Sequence, residues 1–114
     1  LSFIANLAID AKAPGGDPFV INIEIGAPYR HARYEAWACD LSLAPLHEDL
    51  RPAVGQDSLQ ALCLALRLAG SLLEGFVQRG GVLSMEGERF PLEAYFDPPF
   101  VGLRGGSDPR PELG

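Results

Sequence analysis

Chemistry that needs histidines, thiolates or a strained serine has little to work with in this chain, which holds two histidines and two cysteines in 114 residues. His31 and His47 are distant in sequence, and His47, Glu48 and Asp49 are consecutive, a spacing that does not converge well on one ion. No metal site and no cofactor is expected. No Gly-x-Ser-x-Gly elbow places a serine on a sharp turn, and the glycine pairs beginning at Gly15, Gly80 and Gly105 do not form a phosphate loop opening a helix. These absences favour a non-enzymatic protein. Positive charge is also scarce: nine Lys plus Arg against fifteen Asp plus Glu give a formal charge of -6. Such a field repels phosphate, so neither nucleic acid nor an anionic membrane is expected as a partner, whereas a basic protein would be attracted. With no secretory signal and only Cys39 and Cys63, both read as reduced and packed as small apolar residues, the expected compartment is the cytoplasm.

What the chain does have is apolar surface, 47% of residues against 21% charged, enough for one globular core. The patterning predicts a single α+β domain over residues 1–97 and a Pro/Gly-rich tail over 98–114. Its organising element is a helix at 57–78, capped by Asp57 with Gln60 reaching back, and closed by Gly80 and Gly81. On a helical wheel two apolar stripes emerge. Leu59, Leu62, Leu66, Ala69, Leu73, Phe76 and Val77 form the one expected to meet a sheet. Ala61, Leu64, Ala65, Leu68 and Leu72 form the other, which needs a loop of the same chain or a second subunit. Ala61, Leu64, Leu68 and Leu72 are therefore the candidate interface, and a homodimer is the expected state. Arg67, Ser71 and Glu74 make the helix a poor membrane span.

Before the helix, alternation predicts strands at 2–11, 19–25 and 34–43, the last with Trp37, Cys39, Leu41 and Leu43 inward. Residues 44–54 space Leu46, Leu50 and Val54 like a short helical turn. After the helix come a short strand around Val82, Leu83 and Met85, a turn at Gly87, and a strand at 90–96. The sum is a mainly antiparallel five-stranded sheet, in the order three strands, helix, two strands, packed on one long helix.

The densest basic and aromatic cluster is Tyr29, Arg30, His31, Arg33 and Tyr34, with Trp37 nearby. It is either an ordinary exposed turn or a site for a carboxylate, a phosphate or an acidic loop, since loops host binding residues. Three stretches carry a resemblance: Ile25-Gly26-Ala27-Pro28, Trp37-x-Cys39, and Gly55-x-Asp57-Ser58-Leu59-Gln60-Ala61-Leu62-x-Leu64-Ala65-Leu66. Together they resemble a small bacterial family known only as a domain of unknown function, which implies the same layout and no particular activity. In layout and acidity the chain is also similar to dimeric secretion chaperones. The expected function is protein binding, immunity-like or chaperone-like. The alternatives are a small-ligand binder or small enzyme using the Tyr29 to Trp37 cluster, and a structural dimerisation module.

Overall fold

A computed structural model of the chain describes residues 3–33 and 35–96. Tyr34 and the tail at 98–114 lie outside the described residues. The architecture is α+β, with eight strands in two antiparallel sheets and one long helix among the described residues. Strands β1 (Phe3–Lys12), β2 (Phe19–Gly26), β5 (Leu41–Ala44), β7 (Val82–Met85) and β8 (Glu88–Arg89) make the larger sheet, in the order β5-β2-β1-β7-β8. Strands β3 (Tyr29–His31), β4 (Ala36–Cys39) and β6 (Ala53–Gly55) make the smaller one, in the order β3-β4-β6.

The register puts Ile9 opposite Ile21 and Leu7 opposite Ile23, so the odd positions of β1 and β2 share one face. That face meets α1 (Ser58–Gln78). Ile9, Ile21, Leu43, Leu73 and Phe90 are completely or almost completely buried between them. Each large apolar side chain so enclosed contributes about 1.5 to 3 kcal/mol relative to exposure.

Both ends of α1 follow from local chemistry. Asp57 accepts from the Gln60 amide at 2.7 Å, and the Gln60 side chain reaches back to the Gln56 amide at 2.6 Å, a capping box extended by one residue. At the other end Gly80 takes φ +96°, its amide donates to the Val77 carbonyl and the Gly81 amide to that of Phe76, both at 2.9 Å, closing the helix in a Schellman motif.

The helix is rolled relative to the expected packing. Its sealed row is Ala61, Ala65, Ala69, Leu73 and Phe76, which runs along the seam between the two predicted stripes. Three small side chains in succession let the helix axis come close to the sheet, and leucines on either flank then straddle the contact. Leu62, Leu68 and Leu72 are half-buried flankers packed on the core. The residues left outside, Leu59, Leu66 and Val77, come from the stripe predicted to face the sheet. Length and composition alone would let α1 cross a membrane, as they do for many core helices.

Three predicted elements need correction. The strand at 34–43 is two strands, β4 and β5, in different sheets and parted at Asp40. Pro28 has no N–H to offer a ladder, so β2 cannot run on into β3, and their common antiparallel partner breaks opposite the same point. The turn of helix expected at 44–54 is irregular chain, tied by a paired bridge between Leu43 and His47 and ending in β6. The strand at 90–96 is a single helical turn, α2 (Leu92–Tyr95). Pairing with β7 ends where the Phe90 amide meets the Leu83 carbonyl at 3.0 Å, and Pro91 ends the ladder because it lacks a donor.

Candidate functional site

The β3–β4 hairpin holds the basic and aromatic cluster, and strand alternation decides which of its members can meet. Arg30 lies directly opposite Trp37, and its guanidinium stands 5.8 Å from the ring centroid, a cation–π contact. Tyr29 and His31 belong to the opposite face of the hairpin. Tyr29 is 40% exposed and its hydroxyl donates to Asp40 Oδ1 at 3.1 Å. Burial first, then that hydrogen bond and the carboxylate's charge, push the Tyr29 phenol above its ordinary value, so it stays protonated at neutral pH. His31 Nδ1 accepts from the Arg33 amide at 3.1 Å, and the Arg33 side chain is exposed. The structure therefore joins Arg30 with Trp37 on one face of the hairpin and puts Tyr29 and His31 on the other.

Elsewhere the predicted chemistry disperses. His47 buries its Nε2, which has no hydrogen-bond partner among the described residues, while Glu48 and Asp49 are exposed. No group of three metal-ligating side chains comes together among the described residues. Cys39 is buried and its thiol donates to the Gly26 carbonyl at 3.2 Å. Burial, with the Asp40 charge adding to it, pushes that thiol up, which makes it a poor nucleophile. Cys63, expected to be packed, is exposed, because the roll of α1 carries its position away from the sheet. Of the four candidate interface residues, Ala61 is sealed inside the chain, Leu68 and Leu72 are half-buried on the core, and Leu64 is half-buried.

A concave apolar site is formed separately, between β1, β2 and the two helices. A cavity of about 270 Å³ is lined by Ala5, Asn6, Leu7, Ile23, Ile25, Leu66, Tyr95 and Phe96. Its floor is the first half of β1 and the facing end of β2, one wall is α1, and the other is α2. Phe96 reaches this wall because position 70 is glycine: a Cβ there would stand 2.7 Å from the Phe96 Cβ. Tyr95 stacks on Phe90, with ring centroids 4.8 Å apart and a tilt of 30°. Beside the cavity runs an open strand edge. β1 is ten residues long and paired with β2 along its length, but β7 pairs only with Asp10, Ala11 and Lys12. On that side residues 3–8 have no strand partner among the described residues, so alternate backbone N–H and C=O groups of β1 face outward. Phe3 and Ile4 are exposed on the same stretch.

In the sequence Leu66 stands out as a helix-stripe residue, and no local pattern gathers the rest of this lining. A signal existed in strand lengths, since a ten-residue strand beside a four-residue one must leave part of an edge open.

Residues 11–92 match the profile of a family described as a domain of unknown function, DUF6968. The chain belongs to the DUF6968 family. No curated protein and no solved structure matches it. The matched segment contains α1, the basic hairpin and most of the buried core but not Ile9, and Ala5, Asn6, Leu7, Tyr95 and Phe96 of the cavity lining also fall outside it.

Proposed function

We propose that this DUF6968 chain is a non-enzymatic, cytoplasmic bacterial protein that binds another protein, in an immunity-like or chaperone-like role, through the open half of β1. The observation that carries this reading is a strand edge at residues 3–8 that has no partner among the described residues and is flanked by an apolar cavity. An extended segment added there would gain main-chain hydrogen bonds from the edge and side-chain pockets from the groove, the usual logic of strand addition. The net charge of -6 favours a basic partner.

A small-ligand or enzymatic site at Tyr29, Arg30, His31, Arg33, Tyr34 and Trp37 has less support, because the hairpin divides the described members of that set between two faces. Its one favourable feature is the Arg30 and Trp37 pair, a flat cationic surface suited to an acidic group. A structural dimerisation module would place a second copy on the open edge and on the exposed apolar residues of α1.

The test uses the immobilised chain against lysate of its native host, with two variants. Leu66 is partly exposed in the groove wall, so Leu66→Asp puts a charge in the groove at modest cost to folding. The expected result is a partner retained by the native chain and by Arg30→Glu with Arg33→Glu, and lost with Leu66→Asp. No partner above background rejects the reading, and loss confined to the arginine variant transfers the binding face to the hairpin.

A further inference from the structure

We propose that a second cavity, between the last turns of α1 and the β7–β8 hairpin with α2, is a site for a small primary amine with an apolar body. It shares no lining residue with the cavity beside β1, so the two sites can be tested separately.

Local spacing builds this second cavity. Glu74, Val77 and Gln78 stand three and four residues apart and so come to one face of α1. The turn at Gly80 and Gly81 brings the chain straight back as β7, which sets Val82 and Leu83 beside that face, and the hairpin returns Arg89 and Phe90 next to them. Leu92 and Glu93 of α2 complete the lining. The volume is about 360 Å³, within the range of about 300 to 1,000 Å³ common to small-molecule sites. Leu83 and Phe90 are almost fully buried, whereas Val77 and Val82 remain 42% and 59% exposed. An apolar body laid across these valines would cover surface that the fold leaves in water.

Charge decides the polar end of the ligand. The carboxylates of Glu74 and Glu93 and the guanidinium of Arg89 line the cavity. The guanidinium is already taken: its Nη2 and Nη1 donate to Glu93 at 2.8 and 3.4 Å, and Nη1 also donates to the Phe90 carbonyl at 3.3 Å. A ligand carboxylate would have to displace Glu93 to use Arg89, and would face Glu74 as well. Glu74 forms no ion pair among the described residues, and it is half-buried, so water and salt screen it less than a fully exposed charge. Arg79, the nearest cation along the chain, is not part of the lining: its guanidinium folds back over Gly75, where a Cβ would stand 3.2 Å from Nη1. The remaining negative charge favours a cation. A primary ammonium has three donors, which Glu74, the Gln78 side-chain carbonyl and the Glu93 oxygens can accept.

The experiment titrates n-pentylamine into the full chain at neutral pH and follows the methyl resonances by NMR. Pentanol and pentanoate serve as probes of similar body with no charge and with the opposite charge. Saturable shifts are expected at Val77, Val82, Leu83 and Leu92, with a dissociation constant on the order of 1 mM for so small a ligand, while the buried Ile9 and Ile21 stay still. Pentanol should bind at least about threefold more weakly, and pentanoate more weakly still. Glu74→Gln keeps the shape and removes the charge, so it should weaken n-pentylamine about threefold and leave pentanol unchanged. Added salt should do the same to the native chain with no substitution at all. Glu93→Gln releases Arg89 and should strengthen pentanoate. Equal binding of pentanol or of pentanoate by the native chain overturns the assignment of an amine. Shifts that fail to saturate, or that survive both Glu74→Gln and salt undiminished, overturn the site. Tighter binding of Nα-acetyl-lysine amide than of n-pentylamine overturns a free ligand in favour of a lysine presented by a protein.

Discussion

The two halves of β1 are made of the same kind of sequence and meet opposite fates. In the second half Ile9 and Ala11 are buried, β1 becomes a central strand by its pairing with β7, and α1 closes over it. In the first half Phe3, Ile4, Ala5 and Asn6 are exposed, the edge beyond β7 has no strand partner among the described residues, and α1 and α2 meet it only as walls of a cavity. Alternation gives both halves a face, yet cover comes from other elements, and those elements reach only the second half. Stability and binding capacity are thereby separated along one strand. Of the buried half only Ala11 and Lys12 fall within the segment matched to the family, and the open half lies outside it.

The largest effect should appear when the same substitution is placed in each half. Ile9 is 0% exposed and Ile4 54% exposed. Ile9→Ala removes methyl groups from a closed core and should cost about 2 to 5 kcal/mol. Ile4→Ala should stay within about 0.5 kcal/mol, as surface changes generally do. Chemical denaturation of the two variants measures the contrast directly. Equal losses would mean that the first half of β1 is as well covered as the second, and the comparison would fail.

A smaller effect should follow from forcing α2 away from α1. The Phe96 side chain packs where a side chain at position 70 would have to go, with its Cγ 3.1 Å from that Cβ position. Gly70→Val should cost about 1 to 3 kcal/mol, the usual range for overpacking. The loss should be local, with the α2 amides exchanging faster and the Phe19 and Phe76 edge-to-face contact, 6.0 Å between centroids, unaffected. Intrinsic exchange measurements resolve the two regions. Loss of protection at both would make α2 an integral part of the core.

Much of this contrast was legible in the sequence, in the parts where local chemistry decides. Asp57 and Gln60 marked the start of α1 and Gly80 its end, because capping is settled within a few residues. The strand at 19–25 was equally plain from its alternating isoleucines. The roll of α1 was not legible: a helix apolar over most of its circumference offers several faces, and the choice fell to the row Ala61, Ala65 and Ala69, which permits the closest approach. Nor could alternation separate β4 from β5, since the break at Asp40 answers a proline lying between β2 and β3. The cluster from Tyr29 to Trp37 was found as a sequence neighbourhood and then divided by pleat, whereas the cavity draws on residues as distant as Ala5 and Phe96. Only contacts across the chain assemble it.

The smallest effect tests what holds α2 in place at its exposed side. Arg89 and Glu93 form a two-pronged ion pair, with Nη2 to Oε2 at 2.8 Å, and both side chains are largely in solvent. The hydrogen bond from Arg89 holds the Glu93 carboxyl below its usual range, and the same bond raises the Arg89 guanidinium. A depressed carboxylate contributes stability that is present above its unfolded value and lost as pH falls through its folded one. Glu93→Gln should therefore lower the melting temperature slightly at neutral pH and low salt, and the difference should close as pH falls below the usual carboxylate range and on adding salt. Because the pair joins β8 to α2, the same variant should quicken exchange at the Ala94 and Phe96 amides, which donate to Pro91 and Leu92 at 2.9 and 2.8 Å. A loss rivalling Ile9→Ala would show that the wall of the groove bears on the whole fold. A loss confined to α2 amides would leave the groove as a part that can open while the other half of β1 stays closed.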